Sequence, residues 1–311
     1  MMESILLLAP ELGIPKTEVF RYFQISRQGA MKQIRAEVTE REMMERVVIE
    51  VNKYRQNKDR MAGSRSLYYN LDIKRRYNIG VTKFEQLMSK YEQTLAPLRI
   101  RVVTTKSCFQ SWNYENLLLD PNLVLNAINQ VVVGDLTYIN IGKERYYVFN
   151  LMDLYSGFWV GIFIGKRMRA DEALAALNSF IELRGGKNLK GCVHHTDGGA
   201  QYFSSIYMKM LASWGLISSV AGNALENGFA EQRNSFLKHH LLPTIKSGNA
   251  DFLQAELMKK MQFYNYERKQ KTLGWRTPAE FEKQMMALPV EERLQKNLYK
   301  FKNAKANNKH L

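Results

Sequence analysis

The sequence predicts an α/β domain built on a mixed five-stranded sheet with helices, preceded by all-α helix-turn-helix modules. Two observations predict it. Residues 131–139, 145–154 and 157–164 are rich in Val, Ile, Tyr, Phe and Trp and are separated by short turns, which describes an antiparallel three-strand meander. Beyond residue 170, helical and strand patterns alternate, so further strands must join the sheet through crossovers.

The helical half comes first. From Thr17 to Arg35 the pattern reads as two short helices around a turn at Gln24-Ile25-Ser26, with Ser26 as N-cap of a helix running to Arg35. That helix presents Arg27, Gln28 and Lys32 in the manner of a recognition helix, although any small helical hairpin reads similarly. A separate Glu/Arg-rich helix is expected at 37–55, then a second helical unit around Ile79–Met88 capped by Thr82, with Phe84, Leu87 and Met88 on one face. Ahead of that unit, Lys74, Arg75 and Arg76 form a positive cluster suited to a phosphate backbone.

Residues 106–130 contain Pro121, several Asn and no sustained period, and read as a linker. After the meander, residues 170–181 place Leu174, Leu177 and Ile181 at helical spacing, with acids in the first turn and Gly185-Gly186 as the stop. A short buried strand over 191–196, a helix near 204–214, a strand near 216–220 and a helix near 224–240 complete a unit of the ribonuclease H type. The expected division is 1–60 and 61–105 as helical DNA-binding modules, 106–130 as linker, 131–245 as α/β core and 246–311 as a basic helical region ending in a disordered tail.

Charge is distributed along the same lines. The net +15 arises from the flanks: residues 1–105 hold 19 Lys and Arg against 12 Asp and Glu, residues 232–311 hold 16 against 7, and the centre holds 10 against 11. Basic flanks around a near-neutral centre fit a protein that neutralises phosphates while its own central carboxylates attract cations. Two cysteines exclude a disulfide framework and a cysteine-rich zinc site, and point to a reducing cytoplasm. No apolar stretch approaches the roughly 18 residues of a membrane span.

Three carboxylates carry the chemistry. Asp135 lies inside a strand, Asp197 at the exit of another, just before Gly198-Gly199, and Glu231 on a helix. Phosphodiester chemistry needs an activated nucleophile, a stabilised leaving oxygen and in-line geometry, all supplied by two divalent ions about 3.5–4 Å apart. Magnesium takes hard oxygen ligands and needs only a few carboxylates. Glu226 is the rival third ligand; it lies five residues before Glu231, so the two face apart on a helix, whereas Asn227 shares the Glu231 face and is placed to steady it or touch DNA. His194 and His195 read as strand or core histidines rather than ligands.

Four blocks resemble bacterial insertion-sequence transposases with a retroviral-integrase-type core, the insertion-sequence three family in particular: Val132–Ile139, Asn150–Ser156, His195–Tyr202 and Gly222–Glu231. Tyr264-Asn265 and Leu273–Phe281 are similar to that family's C-terminal signature. The resemblance implies a DDE transposase, with Asp135, Asp197 and Glu231 as ligands of two Mg2+ or Mn2+ ions, that cleaves and joins the ends of its own element. It implies double-stranded DNA as partner, both terminal inverted repeats and target, and a homo-oligomer on that DNA. It also implies an upstream-frame helix-turn-helix protein fused by frameshifting, and a bacterial cytoplasmic, nucleoid-associated location. DNA contacts are expected at Arg27, Gln28, Lys32, Lys74, Arg75, Arg76, Asn227, Lys238, Lys259, Lys260, Arg268 and Lys269. A non-catalytic DNA-binding regulator and a structure-selective nuclease of the same fold are the alternatives. Two departures stand out: the 33 residues between Asp197 and Glu231 fall two short of the family's common spacing, and Val132 replaces a common Trp.

Overall fold

The computed structural model describes residues 2–96, 114–186, 189–221, 235–245 and 249–297. At the N-terminus, α1 (Met2–Glu11), α2 (Lys16–Tyr22) and α3 (Arg27–Asn57) enclose a small core of Leu6, Ala9, Val19 and Ala30. Ser26 caps α3 as expected, its Oγ accepting from the Gly29 N–H at 3.0 Å. The two helices expected over 26–35 and 37–55 are one continuous helix of 31 residues. The reason is chemical: no Gly or Pro follows Gly29 until the helix ends, so nothing interrupts the hydrogen-bond ladder.

The second half of α3 buries Met44, Val47, Val51 and Tyr54 against Leu67, Ile73, Phe84, Leu87 and Met88 of α4 (Ser64–Asn70), α5 (Ile73–Tyr77) and α6 (Val81–Lys90). Phe84, Leu87 and Met88 do share the inward face. Gly80, rather than Thr82, is the N-cap of α6, and Thr82 sits one position inside the helix, where its hydroxyl is not a cap.

Across the sheet the strands lie in the order Trp159–Gly165, Glu144–Asp153, Val131–Ile141, Val193–Thr196 and Ile217–Val220. The antiparallel meander is β2 (Val131–Ile141), β3 (Glu144–Asp153) and β4 (Trp159–Gly165); β5 (Val193–Thr196) adds parallel to β2, and β6 (Ile217–Val220) parallel to β5. Parallel neighbours need crossovers, supplied by α7 (Ala170–Arg184) and α8 (Ser205–Ser213). This is the ribonuclease H-like order. Gly185, at φ +70°, ends α7 in the left-handed conformation that the Gly-Gly pair suggested. Gly161 lets α7 approach β4 closely, since a Cβ there would lie 2.4 Å from the Ala176 carbonyl oxygen.

The period-2 alternation of β2 and β3 sorts side chains to two cores. Val132, Phe149 and Leu151 pack with α7 and α8 residues such as Leu177, Phe180 and Tyr207. Val131, Val133, Val148 and Met152 face a core shared with the N-terminal helices and the C-terminal elements. Those elements are α9 (Ala250–Gln262), continued by a wide helical turn over Phe263–Glu267, and α10 (Pro278–Met286), which starts from a Thr277/Glu280 capping box. The stretch read as a linker is ordered over 114–130: Leu117 N–H donates to Ser219 Oγ at 3.0 Å, and β1 (Val124–Leu125) pairs with β7 (Lys296–Asn297). The tail beyond residue 297 and part of the expected 224–240 helix lie outside the described residues.

Candidate active site

Two strands of opposite origin in sequence carry the first two acids. Asp135 sits within β2, opposite Asn150 of β3, and its Oδ1 accepts from the Leu136 N–H at 2.8 Å. The parallel register pairs Val133 with His195, so Asp135 and Asp197 each stand two residues beyond the same rung. Asp197 therefore follows the carboxyl end of β5, while Asp135 stands mid-strand on its parallel neighbour β2, just past the rungs the two strands share. β5 stops at Thr196, and Gly198 at φ +81° turns the chain so that Asp197 Oδ1 accepts from the Gly199 N–H at 3.1 Å.

Electrostatics tie the pair together. Burial raises the Asp197 carboxyl above the usual range, against a lowering by the Gly199 N–H. The Tyr202 phenol, 4% exposed, is pushed far up by burial and then by the negative charges of both Asp197 and Asp135. A half-buried carboxylate pushed up for want of neutralising charge is chemically matched to a hard divalent cation, and carboxylate oxygens are the donors such a cation selects. Among the described residues no group of three or more His, Cys, Asp or Glu is arranged to hold a metal. Glu231, its rival Glu226 and Asn227 lie outside the described residues.

The histidines of the same strand are core groups. His194 Nε2 bonds Tyr207 Oη at 2.7 Å, and burial lowers its pKa to about 4, which keeps the ring neutral. His195 Nδ1 bonds Ser219 Oγ at 2.9 Å on the neighbouring strand.

The basic residues expected to meet DNA divide into several groups. Arg27, Gln28 and Lys32 are exposed on the first two turns of α3. Lys74, Arg75 and Arg76 are exposed on α5, with Arg75 bonded to Asp72 at 2.8 Å and Arg76 paired with Glu50. Lys238 lies 4.7 Å over the ring of Tyr138, three residues beyond Asp135 on β2. Lys259 pairs with Glu256 at 2.7 Å. Lys260 is buried, and its Nζ donates to the Asn57 carbonyl at 2.6 Å, tying α9 to the end of α3. Arg268 reaches Asp59 at 3.2 Å and stacks 4.1 Å over Phe236, while the Lys269 backbone exchanges hydrogen bonds with the Asn70 side chain.

Sequence reasoning missed Asp59. This fully buried carboxylate accepts from His240 Nδ1 at 2.6 Å and Arg268 Nε at 3.2 Å, joining the loop after α3, the 235–241 helical segment and the C-terminal region. No local pattern marks it, because its partners are 181 and 209 residues away.

Strand order and crossovers define a ribonuclease H-like domain of the integrase type. Residues 126–222 match the family model of the integrase core domain. The transposase of insertion sequence IS904 from Lactococcus lactis subsp. lactis is 30% identical over 172 residues, 52% of this chain and 67% of that protein. The InsF transposase of IS3A from Escherichia coli is 29% identical over 178 residues, 55% of this chain and 59% of that protein. Among solved structures, the HTLV-2 integrase catalytic core domain in complex with magnesium matches at 19% identity and a TM-score of 0.40, over 50% of this chain and 97% of that one. The chain belongs to the insertion-sequence DDE transposases. It spans 52% to 63% of the length of the first two curated relatives it matches.

Proposed function

We propose that this chain is the catalytic transposase of an insertion sequence, cleaving DNA at the element's ends and joining the freed 3′-hydroxyls to target DNA. The observation that supports the reading most is the parallel register of β2 and β5, which leaves Asp135 and Asp197 each two residues beyond one shared rung. In this reading Asp135, Asp197 and Glu231 hold two Mg2+ or Mn2+ ions, which activate the attacking oxygen and stabilise the leaving one. The protein's own part is positional. Asp135 is fixed inside β2 by its pairing with Asn150 of β3, and Asp197 is fixed by the Gly199 N–H, so both carboxyls are held to rigid backbone.

Residues 1–60 and 61–105 read the terminal inverted repeats, with Arg27, Gln28 and Lys32 on a helix that follows a turn from α2. The core over 131–245 acts on the scissile phosphate, and the basic region from 246 onward grips backbone phosphates. Because two element ends are joined together, the working form is an oligomer on double-stranded DNA. Among the described residues no helix is long and apolar enough to cross a membrane.

Strand transfer on a cut element end tests the reading. Asp197→Asn is expected to lower joined product by at least about 1000-fold, the scale of losing a metal clamp, while duplex binding stays within about twofold. Cleavage without joining by the wild-type chain would make it a nuclease, and binding with neither activity a regulator; both outcomes reject the proposal. Full activity of Glu231→Gln with a dead Glu226→Gln moves the third ligand to Glu226.

A further inference from the structure

One polar residue interrupts the apolar run of β3. Between Val148 and Met152 the strand reads Val-Phe-Asn-Leu-Met, and Asn150, 4% exposed, sits in its middle although Asn is a poor strand residue. A buried amide needs partners, so its bonds say what it does. Asn150 stands directly opposite Asp135, with both side chains on the sheet face that Val133, Val148 and Met152 turn to the core shared with the N-terminal helices. Its Nδ2 donates to the Asp135 carbonyl oxygen at 3.1 Å.

That carbonyl belongs to the peptide unit joining Asp135 to Leu136, and the N–H of the same unit is the donor to Asp135 Oδ1 at 2.8 Å. A peptide unit is planar and stiff, so fixing its C=O fixes the direction of its N–H. Contact therefore runs from the Asn150 amide through one peptide plane to the carboxylate. A hydrogen bond to the oxygen also polarises the unit and strengthens its N–H as a donor. Among the described residues the parallel rungs with β5 end at Val133, two residues earlier, and the strand opposite Asp135 is β3, so this extra hold comes from the strand that pairs there.

We propose that Asn150 is a positioning residue for Asp135: it holds the peptide plane between Asp135 and Leu136 and so aims the carboxylate at the divalent ion. This role rests on the reading of Asp135 as a metal ligand. A side chain that acts through a ligand's own backbone sets how well the ligand's oxygen is presented. Its loss is felt in affinity for the ion and in the rate of the step the ion serves. Duplex binding is spared, because Asn150 is buried in the sheet.

Calorimetric titration of the full chain with Mn2+, without DNA, reads the first effect apart from any turnover. Asn150→Leu, which replaces the amide with an apolar group of similar size, is expected to weaken Mn2+ binding about 10-fold or more, the scale of losing a group that supports a metal ligand. In strand transfer it should lower kcat about 10-fold or more, with KM for the duplex within about twofold of wild type. A purely structural amide would leave Mn2+ affinity unchanged. Asn265→Leu is the control, since it removes another buried amide that ties strand backbone, at Trp159 on the edge strand β4. If Asn150→Leu shows no cooperative melting, Asn150→Val, a β-branched residue suited to a strand, is read by the same criterion. Mn2+ affinity within about twofold of wild type in the folded Asn150 variant, or an equal loss in Asn265→Leu, overturns the proposal. Asp135→Asn tells its failure from that of the catalytic reading. Unchanged Mn2+ affinity in Asp135→Asn means that Asp135 is no ligand, and both fall; loss in Asp135→Asn with none in Asn150→Leu removes the positioning role alone. Loss in both variants, from a wild type that joins no strands, supports the positioning role and overturns the catalytic reading by itself.

Discussion

Asp59 shows how one residue can hold distant segments. Burial raises its pKa, but the His240 hydrogen bond and the Arg268 charge outweigh that and hold the carboxyl below its ordinary range. A depressed folded pKa stabilises the fold fully above the unfolded value of about 3.9 and loses that stabilisation as pH falls through the lower folded value. Asp59→Asn strands Arg268 and is expected to cost about 3 kcal/mol at pH 7. Urea unfolding should show the gap to wild type closing only below the ordinary carboxylate range; a gap constant down to acid pH would mean that packing, not charge, is lost. Asp197 has the opposite sign. Its pKa is raised by burial, so its charge opposes folding at neutral pH, and Asp197→Asn is expected to melt no lower than wild type in EDTA. A half-buried acid whose charge opposes folding is what the proposed cation site entails.

Among the elements, β4 is the edge of the sheet, and exposed edges invite unwanted pairing. Here amide side chains complete it. Asn265 accepts from Trp159 N–H and donates to Trp159 C=O, both at 2.9 Å, and Gln254 does the same at Ile164 N–H and Ile162 C=O. The Tyr264-Asn265 pair singled out in the sequence is thus, at least in Asn265, a strand mimic, and Tyr264 stacks on Trp159 beside it. Asn265→Leu leaves a buried N–H and C=O without partners and is expected to destabilise by about 2–4 kcal/mol, measured by thermal or urea unfolding. A loss below about 0.5 kcal/mol would show that water or a neighbour takes over.

For the whole molecule, the apolar clusters define what unfolds together. Met44 and Leu67 of the helical half, Val131 and Trp159 of the sheet, and Leu253, Tyr264 and Phe281 of the C-terminal region belong to one core, whereas α1, α2 and the start of α3 close a separate small one. Deleting residues 1–25 is therefore expected to leave the melting temperature of the main transition within about 3 °C, while truncation before residue 250 abolishes cooperative unfolding by calorimetry. Stable folding of the chain ending at 249 would show the sheet to be self-sufficient.

Periodicity and turn residues were enough to read β2, β3, β4, α7, β5, α8 and β6 nearly to their ends, because each is a local pattern of apolar spacing bounded by Gly or polar turns. The two aspartates were legible for the same reason, each marked by a strand and, for Asp197, a Gly-Gly turn. The continuity of α3, the β1/β7 pairing, the burial of Lys260 and the Asp59 junction were not, since each depends on which distant surface arrives beside it. Local sequence determined the elements and the chemical groups they display. Only tertiary packing decided which charges are spent inside the molecule and which remain at its surface, because a Lys in a sequence is the same residue whether its ammonium meets a buried carbonyl or solvent.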